Sequence, residues 1–276
     1  MSNTTVRNRG NTVAFFALTF AFSWGLAALL VLFPSQIEAL FGKPSAAHPL
    51  FILAVAGPTI VATAQTFAHE GAAGLRSLYA RMARWRFGLH WYALLLIGIP
   101  LIAYLVSQIA GPQLKFDLST PGLLAAFLLL NLILGPLGEE LGWRGYALPR
   151  LLQRFNPLTA SLIVGALWAV WHLPAFFVSG LPQASLAIPA FLFGTLCLSI
   201  LATWIFLHTG GSVLSTVLFH WTVNCAQDLF GAPQLPFTLA LALAAALVLL
   251  FDRRLGWFGN GPAQGADQPL VATEVI

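Results

Sequence analysis

The sequence predicts an all-α fold: a polytopic membrane protein built as a bundle of about eight transmembrane helices. Three observations predict it. Hydrophobic residues make up 58% of the chain and charged residues 8%, against roughly 25% charged in a soluble domain. The apolar residues gather into eight runs long enough to cross a bilayer as helices. The basic residues are sorted between alternate loops, as a fixed orientation in a membrane requires. A length of 276 residues then suits one compact bundle better than two soluble domains. The net charge of +4 fits that orientation, so the lipid bilayer is the expected partner and nucleic acid is not.

In chain order, residues 1–11 form a polar arm with Arg7 and Arg9, and a single helical bundle is expected over 12–255. Spans are expected at about 13–33, 50–68, 89–110, 122–138, 158–178, 184–207, 212–230 and 235–251. As helices rising 1.5 Å per residue, such runs cover the roughly 30 Å of hydrocarbon. The first run is longer than a signal-peptide core and shows no convincing cleavage site, so it is read as a span. Residues 69–88 carry four arginines, as an amphipathic segment on the anionic inner leaflet or as a loop that only fixes topology. The Gly-, Gln- and Pro-rich tail 256–276 is expected to be flexible. Cys197 and Cys225 each lie within an apolar run, which offers neither a disulfide framework nor a CxxC site.

Eight crossings put both termini on one side. Eleven of the thirteen basic residues then share that side, and only Lys43 and Lys115 lie opposite. The positive-inside rule makes that side the cytoplasm of a cell-membrane protein.

Three places break the apolar pattern with groups capable of chemistry. In GPLGEELGWRGYALPRLLQR (135–154), Glu139 and Glu140 end a long apolar run and Arg144 follows. With nine acids in the whole chain, two side by side at the edge of a hydrophobic segment are costly to keep there. Positions i and i+4 of a helix share a face, so Glu140 and Arg144 can pair. Glu139 points about 100° away and is left free and partly desolvated, the setting of a general base. The plainer reading is a cap and a salt bridge reaching cytoplasmic water. Next, His172 sits late in the fifth span with Trp168 one turn earlier, and Pro174 should kink the helix beside the imidazole. Alone, such a histidine is as readily a packing residue. Finally, His220 and Asn224 share a face of the seventh span, with Asp228 one turn further. They suit metal ligation, two hydrogen bonds to an oxyanion, or interhelical bonding that holds the bundle together. Straight spans would put His172 nearer the outer face and Glu139 at the inner one. A shared site therefore requires the 135–154 stretch to dip into the membrane or the fifth span to begin late, which is allowed for a segment buried in protein.

At these residues the chain resembles the CPBP family of CAAX prenyl endopeptidases and bacteriocin-processing (Abi-like) proteins. Their pattern is Glu-Glu-x-x-x-Arg, Phe-x-x-x-His, then His-x-x-x-Asn or Asp. Glu139, Glu140 and Arg144 match the first element, His172 the second, and His220 with Asn224 the third. Trp168 stands where phenylalanine is commonest, which keeps an aromatic wall. The likeness extends over about 120–230 and includes the HTGG turn at 208–211. The resemblance implies an intramembrane endopeptidase acting on a membrane-associated protein or peptide, of CAAX or leader and precursor type. On it, Glu139 and His172 would activate a water, Glu140 and Arg144 would hold geometry and charge, and His220 and Asn224 would stabilise the oxyanion. The family's usual label is metalloprotease, a metal-free glutamate mechanism is argued for it as well, and the resemblance leaves both open. A divalent metal such as zinc would fall to Glu139, His172 and His220, although the His-Glu-x-x-His zinc helix is absent. Two rivals stand beside this reading. One is a non-catalytic scaffold or bacteriocin-immunity protein of the same fold. The other is a proton-coupled transporter, against which no inverted repeat or pair of broken helices appears in matching halves.

Overall fold

A computed structural model describes residues 11–112, 120–252 and 255. The expected N-terminal arm (apart from Asn11) and the C-terminal tail lie outside the described residues, as do Lys115, Arg253 and Arg254. Among the described residues every regular element is helical, as composition and run length predict.

Helix α1 (Thr12–Leu32) starts where Asn11 Oδ1 accepts from the backbone N–H groups of Val13 and Ala14, at 2.9 and 3.3 Å. That side chain satisfies two donors that no helical carbonyl reaches. A short α2 (Pro34–Phe41) leads to α3 (Pro49–Val55) and α4 (Gly57–Ala80), which meet at a 52° bend. One straight span over 50–68 is therefore not what forms. Pro58, in the first turn of α4, has no N–H to continue the ladder from α3, so the helix restarts there. α4 then runs on to Ala80, kinked at Gly71 with φ 62°, a left-handed conformation that favours glycine. The basic stretch 69–88 is thus helix for more than half its length.

α5 (Leu89–Ala110) contains a π turn at Leu94–Gly98. α6 (Pro121–Ile133) is capped by Thr120 and stops before Leu134 and Gly135. α7 (136–152) follows, its middle wound as π-helix over Leu141–Ala147. α8 (Pro157–Trp171) is capped by Asn156 and gives way at His172 to 3-10 turns at Leu173–Phe177 and Pro182–Ser185. The break beside the imidazole falls where Pro174 predicts it. α9 (Ile188–His208), α10 (Val213–Leu229) and α11 (Gln234–Phe251) complete the bundle.

Among the described residues, six stretches are long and apolar enough to cross a membrane: α1, α5, the Pro121–Leu152 run of α6 and α7, the Pro157–Phe177 run, α9 and α11. The bent α3–α4 pair makes a seventh if it is one span. α10 has 17 residues, about 25 Å at 1.5 Å per residue, and is encased by its neighbours. Leucines of α6 and α11 such as Leu123, Leu129, Leu239 and Leu243 face outward, as lipid-facing positions do.

The element at the centre is α7. From Gly135 to Leu152 every residue except Leu137 is buried, including four of the chain's charged groups at Glu139, Glu140, Arg144 and Arg150. A Cβ on Gly138 would stand 2.9 Å from Val55 O, and one on Gly142 would stand 2.5 Å from Pro58 O. Only glycine lets α7 lie this close against the α3–α4 bend. One hydrophobic cluster wraps α7, with Trp143, Tyr146 and Leu148 packed on Phe15, Trp168 and Trp171. A second joins α5, α9, α10 and α11 through Leu95, Ile205, Phe219 and Phe237. The site lies where the two meet. The 135–154 stretch does not trail off at the membrane surface; it dips into the bundle, one of the two routes by which His172 and Glu139 can share a pocket.

Candidate active site

Each motif residue is delivered by a different device. Glu139 and Glu140 sit on the first turns of α7, immediately after the Gly135 break. His172 is the residue on which α8 ends. His220 and Asn224 project from one face of α10, a turn apart.

The two carboxylates, 3% and 1% exposed, occupy different surroundings. Glu140 Oε1 accepts from Arg144 Nη1 at 2.9 Å and from His220 Nδ1 at 3.0 Å. Arg144 is fully buried, and its guanidinium lies 4.4 Å over the Trp168 ring. Neither charge of this pair would be tolerated in the bundle alone. Glu139 takes one hydrogen bond, to Oε2 from Trp168 Nε1 at 2.6 Å, and its other oxygen, Oε1, points toward Gly135. The expectation that Glu140 pairs with Arg144 while Glu139 does not is met by this geometry.

His172 Nδ1 lies 2.8 Å from Trp168 O. A carbonyl only accepts, so Nδ1 carries the hydrogen and Nε2 is the ring nitrogen left for other chemistry. Phe191 and Trp171 pack edge-on against the same imidazole at 5.0 and 4.8 Å. His220 likewise commits Nδ1 to Glu140. Asn224 Nδ2 would lie 3.7 Å from a Cβ at Gly135, and Glu139 Oε1 would lie 3.8 Å from it. The bare glycine thus leaves a space flanked by a carboxylate oxygen and an amide.

Glu139, His172, His220 and Asn224 all line one cavity of about 160 Å3, walled by Trp24, Trp168, Trp171 and Phe191. A second cavity of about 500 Å3, between α6, α9, α10 and α11, shares Gly135, Phe191 and Asn224 with it. Glu140 and Arg144 stand behind the first cavity rather than in its wall. All six sequence-predicted residues are brought together.

A metal held by Glu139, His172 and His220 would need its donors gathered around one point. Among the described residues, no group of three or more His, Cys, Asp or Glu side chains is so arranged; with Nδ1 engaged, each imidazole would offer only Nε2 to a metal. This donor arrangement does not fit a three-ligand centre.

Two features escaped sequence reasoning. Trp168, read as an aromatic wall, is a hydrogen-bond donor to Glu139. Arg150, counted with the cytoplasmic charges, is buried: its Nη2 donates to Glu70 Oε1 at 2.6 Å and its Nη1 to Tyr146 O at 3.0 Å. Tyr146 in turn donates to Gln65 at 2.6 Å, so a polar network pins α7 to α4. The scarcity that singled out Glu139 and Glu140 applied equally to Glu70, and was the available signal.

With this geometry in place, comparison with known proteins adds a likeness over the part of the chain that carries the site. Residues 121–226, which carry all six site residues, match the family described as Type II CAAX prenyl endopeptidase Rce1-like. This part of the chain is similar to that CAAX endopeptidase family. The chain is also similar to CAAX prenyl protease 2 of Methanococcus maripaludis, 33% identical over 149 residues that cover 51% of this chain and 54% of that protein. The match thus spans about half the length of that CAAX relative.

Proposed function

We propose that the protein is an intramembrane endopeptidase that hydrolyses a peptide bond in a membrane-associated protein or peptide, of CAAX or leader and precursor type. One observation carries this reading: Glu139, His172, His220 and Asn224, from three helices distant in sequence, line a single cavity inside an apolar bundle. A packing or gluing role does not require four polar side chains to face one space.

In the proposed reaction a water lies between the Glu139 carboxylate and His172 Nε2. Glu139 takes its proton as the oxygen attacks the scissile carbonyl carbon. The carbonyl oxygen becomes an oxyanion and accepts hydrogen bonds from Asn224 Nδ2 and, with the ring protonated on both nitrogens, from His220 Nε2. Glu140 holds His220 through Nδ1 and is itself neutralised by Arg144. The proton on Glu139 passes to the amide nitrogen as the C–N bond breaks, releasing an amine and a carboxylate. Every step uses side chains of this protein and one water. Zinc, if it served here, would have to draw Glu139, His172 and His220 together from their present positions.

The test is cleavage of prenylated CAAX peptides and of leader peptides by the purified protein in liposomes. Glu139→Ala and His172→Ala should each abolish cleavage while the protein stays inserted and thermally folded. Retained cleavage by both variants would remove the mechanism, and a substrate that binds wild type but emerges intact would point to a scaffold. Metal content measured on the same preparation, with activity before and after a chelator, decides the metal question; full activity of metal-free protein is the expected result.

A further inference from the structure

Trp168 touches four of the five charged or ionisable members of the site, all but Glu140. Its Nε1–H donates to Glu139 Oε2 at 2.6 Å. Its ring face carries the Arg144 guanidinium at 4.4 Å. Its backbone carbonyl accepts from His172 Nδ1 at 2.8 Å. Its ring also meets the His220 imidazole edge-to-face, with centroids 5.2 Å apart. The side chain is 3% exposed and packed in the cluster that wraps α7, so it has one orientation to offer.

From this convergence we infer that Trp168 is the positioning residue of the reaction centre, and that its indole N–H aims the Glu139 carboxylate. The inference rests on the hydrolytic role proposed for Glu139. A carboxylate on the first turn of α7 has rotational freedom about its own side-chain bonds. The indole fixes Oε2, and that in turn directs Oε1 toward the space beside Gly135 and Asn224 Nδ2. The same residue sets the tautomer of His172 through its carbonyl, so the base and the imidazole are registered against one rigid group. A ring without the N–H would fill the same volume and still carry Arg144. It would leave Glu139 free to turn toward the Arg144 cation, away from the water it must deprotonate. Aim, rather than packing, is what the nitrogen supplies.

The experiment removes the N–H and keeps the ring. β-(3-Benzothienyl)alanine placed at 168 does so with sulfur in place of NH at nearly constant shape, and Trp168→Phe removes the N–H together with part of the ring. Both should lower kcat by about 10- to 100-fold, the consequence of losing a hydrogen bond to a charged group. KM of both, and the thermal midpoint of the benzothienyl protein, should stay within error of wild type. Trp168→Phe, which leaves a cavity in the core, should also unfold at a lower temperature. In 15N-tryptophan-labelled protein, the indole N–H resonance that disappears in Trp168→Phe should move upfield in Glu139→Gln, with or without turnover. If the benzothienyl protein keeps wild-type kcat, the positioning role is overturned, whatever Trp168→Phe does. If the resonance ignores Glu139→Gln, the bond itself is refuted. An inactive wild type with the expected resonance shift would sink the hydrolytic reading and leave the Trp168–Glu139 link standing, so the two failures are distinguishable.

Discussion

Glu139 and Glu140 are chain neighbours in different surroundings, and the difference lies in what each oxygen meets. Glu140 Oε1 is shared by Arg144 and His220, whereas Glu139 keeps Oε1 directed toward the cavity. Removing the guanidinium would strand a buried carboxylate, a change that costs about 3–5 kcal/mol. Arg144→Ala is therefore expected to lower the unfolding midpoint in detergent sharply, and Glu139→Ala to leave it close to wild type. Gly135→Ala tests the reactive space itself. The new methyl would make only ordinary contacts, 3.7–3.8 Å from Asn224 and Glu139, so the fold should persist. It would occupy the position between base and amide, and a displacement of about 1 Å in a reacting pair costs on the order of 10²-fold in rate. Steady-state cleavage by a normally stable Gly135→Ala protein checks it. The pairing of Glu140 with Arg144 was legible in the sequence because i, i+4 spacing is a property of the helix alone. The indole on Glu139 was not, because that contact depends on where α8 packs against α7.

At the scale of elements, α7 shows the limit of reading hydropathy. Its apolar lead-in, its Gly-rich surface and its paired acids were all visible, and they identified it as the centre of the molecule. Its burial was not, since a segment bearing Arg144, Arg150 and two carboxylates has the hydropathy of a membrane edge. What keeps it inside is pairing across the bundle: Glu70 on α4 neutralises Arg150, and the glycines seat α7 against the bend at Pro58. The same burial removes Arg144 and Arg150 from the set of exposed charges that could set topology. The glycine contact predicts a clear contrast. A Cβ on Gly142 would stand 2.5 Å from Pro58 O, backbone that cannot swing aside, while one on Gly122 in α6 would meet nothing within 4 Å. Gly142→Ala should destabilise by about 1–3 kcal/mol through overpacking and reduce activity, because the displaced helix carries the carboxylates. Gly122→Ala should change neither, and thermal unfolding with parallel cleavage assays reads both.

Across the described residues, three hydrophobic clusters make up the bundle, the site residues lie between the two larger ones, and the two cavities meet there. The smaller one has room for water and a peptide group; the larger, about 500 Å3, falls within the range of ligand pockets. They share a wall at Gly135, Phe191 and Asn224, so under the proposed hydrolysis a bound chain would run from one into the other with its scissile bond at the junction. Ala190 lines the larger cavity and not the smaller. Ala190→Trp should therefore obstruct one arm of an extended substrate while sparing the reacting groups. Long lipid-embedded substrates should show a raised KM, and a short peptide confined to the smaller cavity should be cleaved at the wild-type rate. Equal losses for long and short substrates would mean that the larger cavity is not part of the binding path. An unchanged KM for both would mean that substrates enter from the α1 and α3 side, where Trp24, Leu30 and Phe51 line the smaller cavity.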